Sequence, residues 1–241
     1  MPFSKENWSP QDAMKAYLHA LQLRKQCASS IIEPKSMELV AALAAGKRSK
    51  LMVEITSSPN VITPLTMALA VAAKQTGGKV VLCSTTLNNI PSSSSSSSSS
   101  THESQIKSQL ESMELGDVVV EHVSSSDGGL GLKKYKRVDF AVVDGDVEHH
   151  VELLGLLDVN PIGSMIVGHN LDRKKGRGGY KGGCSSFGEA LGRNKEGCYF
   201  VSLPIGDGGM EMARLGGGGC CGNVPVGIGR KYKRFHVTFE E

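Results

Sequence analysis

The stretch from Leu51 to Cys83 constrains this chain more than any other. Leu51–Ile55 is an apolar run of strand length, Thr63-Pro64 opens a helix that stops at Gly77-Gly78, and Lys79–Cys83 is a second apolar run. A strand, a helix and a strand packed so closely form a βαβ unit, which commits the chain to an α/β fold with a parallel sheet. The alternation continues downstream. Thr101–Met113 reads as an amphipathic helix and Asp117–His122 as a strand. Val138–Val143 is a near-continuous apolar strand, the kind buried on both faces of a parallel sheet. Val147–Leu157 is helical, and Ser164–Val167 is another strand. Cys198–Leu203 and Met210–Leu215 flank Gly206-Asp207-Gly208-Gly209 and predict a closing antiparallel pair. Upstream, Ser9-Pro10-Gln11-Asp12 carries the signals of a helix start, and a second helix from about Pro34 to Ala45 stops at Gly46.

Composition supports a packed protein and excludes some functions. The 241 residues are 39% hydrophobic, enough for a core, and only 5% aromatic, so Ala, Val, Ile and Leu must fill it. Lys and Arg number 27 against 24 Asp and Glu, a net charge of +3 that is not in itself the footprint of a nucleic-acid binder. The longest apolar stretch, Val61–Ala73, is too short to span a bilayer and is broken by Thr63, Pro64 and Thr66. No apolar run precedes the first helix, so no secretory signal is expected and a cytoplasmic or nuclear location without membrane association is the default. The six cysteines lack metal-type spacing and are expected to be reduced and structural. The sequon Asn7-Trp8-Ser9 is then expected to go unused.

The expected organisation is N-terminal helices over residues 1–48 packed on a sheet, an α/β domain over 49–215, and a glycine-rich basic tail over 216–241. Two stretches inside the domain do not look like core. Ser92–Ser100 is a serine homopolymer, expected to be a flexible insert, and residues 172–197 form a basic, glycine-rich loop.

In an open α/β sheet, ligands bind beyond the carboxyl ends of the strands, near the point where strand order reverses. The strand ends here are polar: Glu54, Thr56, Ser57, Ser58 and Asn60, then Ser84 and Thr85, then Ser124–Asp127, then Asp144 and Asp146, then His169 and Asn170. Asp144, Asp146, His169 and Asn170 are the best constellation, because carboxylate, imidazole and amide oxygen can together hold Mg²⁺ or Mn²⁺. The alternative is that Asp144 caps the following helix and Asn170 shapes a turn. His149 and His150 fall at an exposed helix start. The first turn, Thr56-Ser57-Ser58-Pro59-Asn60, has no glycine to let a phosphate approach the backbone, which argues against tight nucleotide binding.

Two segments carry a resemblance. Val138-Asp139-Phe140-Ala141-Val142-Val143-Asp144-Gly145-Asp146 resembles the D-F-x-F-V-D-A-D segment of cation-dependent O-methyltransferases of the caffeoyl-CoA and catechol type, and Leu203-Pro204-Ile205-Gly206-Asp207-Gly208 is similar to their L-P-x-G-D-G hairpin. From Trp8-Ser9-Pro10 through Gln75-Thr76-Gly77-Gly78 to Asp144, the chain resembles the plant family carrying domain of unknown function 1442, a methyltransferase-like Rossmann group. The resemblance spans roughly residues 8–215. It implies a Rossmann-like class I methyltransferase sheet of seven mostly parallel strands, with an antiparallel C-terminal hairpin and helices on both faces. It also implies S-adenosylmethionine over the strand ends, at Glu54, Thr56, Ser58, Asn60, Ser84, Ser124 and Asp144, and a divalent cation such as Mg²⁺ on Asp144, His169 and Asn170.

The chain departs from that pattern at several places. Thr56, Ser58 and Asn60 stand where the motif has glycines, Cys83-Ser84-Thr85 supplies no carboxylate for the ribose hydroxyls, and Val147 replaces the lysine expected to act as base. His169 or His149 would have to take the proton instead. Three functions follow. The first is a non-catalytic binding or regulatory module with a degenerate S-adenosylmethionine site, for a small-molecule or protein partner. The second is an active S-adenosylmethionine-dependent, cation-assisted O-methyltransferase acting on a small molecule. The third is an RNA- or anion-binding protein using Arg173–Gly183.

Overall fold

The computed structural model describes residues 8–26, 36–57, 62–84, 99–124, 130–147, 150–171, 187, 199–205 and 209–215. In chain order these form α1 (Pro10–Gln26), α2 (Ser36–Gly46), β1 (Leu51–Thr56), α3 (Pro64–Thr76), β2 (Lys79–Ser84), α4 (Ser99–Ser112), β3 (Val119–Ser124), a 3₁₀ turn (Leu130–Lys134), β4 (Phe140–Asp144), α5 (His150–Leu156), β5 (Ser164–His169), β6 (Tyr199–Leu203) and β7 (Met210–Leu215). The strands make one seven-stranded sheet in the order β3-β2-β1-β4-β5-β7-β6. Neighbours from β3 to β5 pair in parallel, and β7 runs antiparallel to both β5 and β6. This is the sheet the resemblance implies, closing hairpin included.

Alternate residues along each central strand explain why the strands read as apolar throughout. Met52, Val80, Leu82, Phe140, Val142 and Val167 pack on one face, beneath α1, α2 and α3. Val53, Ile55, Val81, Cys83, Ala141, Val143 and Ile166 pack on the other, against Leu132, Tyr135, Leu153, Leu154 and Leu157. Helices on both faces leave no wet side, so the period-two polar alternation disappears. Within the first face, Arg24 of α1 reaches the buried carboxylate of Glu38 in α2 at 2.7 Å.

Helix α3 shows how local signals set the frame. Thr63 caps it, its hydroxyl accepting from the backbone N–H of Leu65 and Thr66, and Pro64 occupies the first turn, where a missing N–H costs nothing. Gly77 ends it in the left-handed conformation at φ 64°, and the chain turns directly into β2.

Several boundaries differ from the sequence reading; the helix expected over Val147–Leu157 runs over His150–Leu156, and the strand expected over Ser164–Val167 continues to His169. Helix α4 begins at Ser99, so the last two serines of the homopolymer form helix rather than loop. Strand β3 begins at Val119, two residues later than the pattern predicts. Strand β4 begins at Phe140, because Val138 makes only an isolated bridge to Val159. Ser92–Ser98, the tail and, except for Phe187, the basic loop lie outside the described residues. No described helix is long and apolar enough to cross a membrane.

Candidate functional site

Strand order reverses between β1 and β4, which places the crevice of an open α/β sheet over their carboxyl ends. Asp144 closes β4 there and is 8% exposed. Its carboxylate joins three strand ends. Oδ2 accepts from Ser57 Oγ beyond β1 at 3.0 Å, and Oδ1 accepts from Asn170 Nδ2 beyond β5 at 3.2 Å and from the Asp146 backbone N–H at 3.0 Å. The convergence expected of Asp144 and Asn170 is therefore present, and Ser57, one of the polar residues read at the end of β1, joins them through its bond to Asp144.

Glu54 lies one turn of the pleat deeper in β1 and is 1% exposed. Thr63 Oγ1 donates to its Oε1 and Thr66 Oγ1 to its Oε2, both at 2.6 Å. Since Thr63 Oγ1 already accepts two helix N–H groups, its one proton must point at Glu54. A capping box thus connects a buried carboxylate to the positive end of α3. Burial raises the Glu54 pKa above its ordinary 4.5, the two threonine hydrogen bonds oppose that rise, and the nearby Asp144 charge adds to it. In the sequence, the Thr63-Pro64-Leu65-Thr66 spacing was the available sign of this arrangement.

At the end of β2, Ser84 is 2% exposed and its hydroxyl lies 2.9 Å from His122 Nε2 of β3. Thr56 is buried at the end of β1, and Ser124 is the last residue of β3. His169 is half-buried at the end of β5 in register with Asp144, and its backbone carbonyl accepts from Gly145 N at 2.8 Å. His150 turns its Nδ1 to within 3.0 Å of the Val147 carbonyl oxygen. Ser58, Asn60, His149 and the side chain of Ser124 lie outside the described residues.

Gly145 is a site residue that the sequence pattern did not single out. A Cβ on it would sit 2.9 Å from the Asn170 carbonyl oxygen and 3.0 Å from that of His169. The end of β5 therefore crosses the end of β4 closer than the alanine of the D-A-D pattern would permit. Asn170 makes that crossing with a positive φ of 57°, a conformation asparagine tolerates better than most residues.

Whether these residues suit a divalent cation follows from the acceptor count. A carboxylate offers about four lone-pair sites, and protein donors occupy three of those on Asp144. Asn170 directs its NH₂, not its carbonyl, toward Asp144. Among the described residues no three His, Cys, Asp or Glu side chains gather in a metal-holding group. The donor set as arranged does not fit a cation.

Comparison with other proteins bears on the fold. A methyltransferase from Geobacter sulfurreducens superposes with a TM-score of 0.53 at 16% identity, covering 83% of this chain and 88% of that one. An O-methyltransferase from Bacillus cereus, in complex with SAH, superposes at 0.51 with 14% identity, covering 87% and 99%. At such identities the likeness is one of fold, and the sheet is that of a class I methyltransferase. Among curated proteins, no sequence matches the chain significantly. The family described as "Protein of unknown function (DUF1442)" matches residues 4–236, almost the whole length, and the chain belongs to that family.

Proposed function

We propose that the chain is a non-catalytic binding or regulatory module on a methyltransferase fold, with a degenerate S-adenosylmethionine site. The observation that carries this reading is the Asp144 carboxylate, which three protein donors hold in place as a structural tie between strand ends. Two further features support it. Glu54 is bound through both oxygens to threonines of its own crossover and is buried, so a ligand would have to displace Thr63 or Thr66 to reach it. Residues 83–102 contain no carboxylate, and the buried Ser84 hydroxyl is engaged by His122, so no acid at this strand end holds ribose hydroxyls. Methyl transfer to a hydroxyl also needs a placed base, and Val147 stands where that lysine is expected.

The test is methyl transfer from labelled S-adenosylmethionine to catechol and caffeoyl-type acceptors, with and without Mg²⁺. The module reading predicts no transfer. Turnover that disappears in a folded Asp144→Asn variant would overturn it.

The second reading, a cation-assisted O-methyltransferase, draws on the Asp144–Asn170 contact of 3.2 Å, because both partners match metal-binding positions of the enzymes the chain resembles. Two of the three donors on Asp144 are side chains that can rotate away. A melting temperature raised more by Mg²⁺ and S-adenosylmethionine together than by the sum of their separate effects would favour this reading.

A further inference from the structure

The end of the sheet opposite the crevice carries a charge pattern that the proposed function does not use. Lys133-Lys134-Tyr135-Lys136-Arg137 leads from the 3₁₀ turn into β4, and all four of its cations are exposed. Tyr135, by contrast, is 5% exposed and acts as the anchor. Its hydroxyl donates to Glu121 Oε2 at 2.6 Å, and the ammonium groups of Lys134 and Lys79 lie 4.8 and 5.3 Å from its ring centre. Lys79 also pairs with Glu121 Oε1 at 3.0 Å.

Among the described residues, the nearby carboxylates offset only part of this charge. Glu121 is held by the Tyr135 hydroxyl and by Lys79, which with the nearby Lys134 charge keep its pKa below the ordinary value, so it offsets Lys134 in part. Asp139 is bonded to the Lys50 and Leu51 amides and to Asn160. Among the described residues Asp158 reaches out to Lys136 at 3.5 Å, and both partners are well exposed, so that pair is weak and easily exchanged. Lys133 and Arg137 make no ion pair among the described residues. Arg137 also takes a left-handed backbone at φ 59° as the chain turns into β4.

We propose that Lys133, Lys134, Lys136 and Arg137 form a binding edge for the phosphate backbone of single-stranded RNA, independent of base sequence. Closely spaced cations on a rigid turn suit regularly spaced phosphates, and a guanidinium can grip a phosphate with two donors. The aromatic of the segment is buried under lysines, so it neither stacks on bases, which leaves sequence unread, nor inserts into a bilayer. The edge lies at the amino ends of the strands, so its occupancy is sterically independent of the crevice.

The experiment is a fluorescence-anisotropy titration of the full chain with labelled oligouridylate across a salt series. Four single-strand phosphate contacts predict that log K falls with log salt at a slope of about −3. The triple variant Lys133→Ala/Lys134→Ala/Arg137→Ala should bind at least about tenfold more weakly, with a slope near about −1, while its melting temperature stays close to that of the parent because the groups removed are exposed. Absence of salt-sensitive RNA binding in the parent would overturn the proposal. So would unchanged binding in the folded triple variant with loss of binding in Arg173→Ala/Lys174→Ala/Lys175→Ala. Binding to phosphatidylserine-containing vesicles but not to RNA would reassign the edge to a lipid surface and overturn it as well.

Discussion

The two ends of β4 carry the same device with different parts. At the amino end, Asp139 accepts from the Lys50 and Leu51 amides at 2.8 and 3.2 Å and from Asn160 Nδ2 at 2.7 Å. At the carboxyl end, Asp144 accepts from Ser57 Oγ, Asn170 Nδ2 and the Asp146 amide. Each carboxylate ties β4 to segments flanking β1 and β5. Two of the three donors on Asp139 are backbone groups and cannot leave, whereas two of the three on Asp144 are side chains. The ligand crevice of an open α/β sheet lies at the carboxyl ends of its strands, outside the reach of Asp139, and the donors that Asp139 meets are protein groups, so it acts as a tie. Asp144 is satisfied in the same way at the edge where ligands bind, and this parallel with Asp139 is what the proposed module reading draws on.

The comparison can be broken in several places. The largest expected effect is Asp139→Ala, which leaves the Lys50 and Leu51 N–H groups without their acceptor and should cost about 3 kcal/mol in urea unfolding. A loss below that of an exposed ion pair would mean the amino-end tie is not structural. Next is Gly145→Ala, where the new Cβ would be driven against the Asn170 carbonyl oxygen. We expect a loss of about 2 kcal/mol from overpacking, read by the same unfolding curve. A neutral result would show that the β5 crossing can relax and that the carboxyl end is less tightly closed.

Glu54 sharpens the picture through pH. Its folded pKa is raised, so the stability tied to its protonated form is fully present below the ordinary value of 4.5 and is lost as pH rises through the folded pKa. Between those limits the parent should lose up to about 1.4 kcal/mol of stability per pH unit from this group. Glu54→Gln, which cannot titrate, should lack that component of the slope. Identical pH profiles for the two proteins would contradict the raised pKa. The smallest effect belongs to Arg48→Ala. Arg48 reaches Asp12 at 3.3 Å from an exposed position, and its removal should change stability by about 0.5 kcal/mol or less.

Much of the fold was legible because the central strands are buried on both faces and their apolar runs stand out. The first βαβ unit appears with its cap, its proline and its terminal glycine in the expected places. Strand β3 was harder: Val119 is exposed and Glu121 and His122 interrupt the apolar run, so the sequence marks its start poorly. Val138 looked like strand because it is apolar and buried, yet it bridges only Val159. At the site, Asp144 and Asn170 could be brought together from the rule that strand ends converge. Ser57 stands among the polar strand-end residues and Thr66 at capping-box spacing from Thr63, but their bonds to Asp144 and Glu54, like the roles of His122 and Gly145, depend on rotamers and on backbone approaches of about van der Waals distance, which residue type alone does not encode.

The most direct measurement is the unfolding free energy of Asp144→Ala against the parent, both without ligand. A carboxylate held in a crevice for catalysis is commonly a burden on the fold, and removing it leaves stability unchanged or raises it. A carboxylate that ties three strand ends should instead cost about 2 kcal/mol when removed, since Ser57, Asn170 and the Asp146 amide lose their acceptor. A variant as stable as the parent, or more stable, would contradict the account.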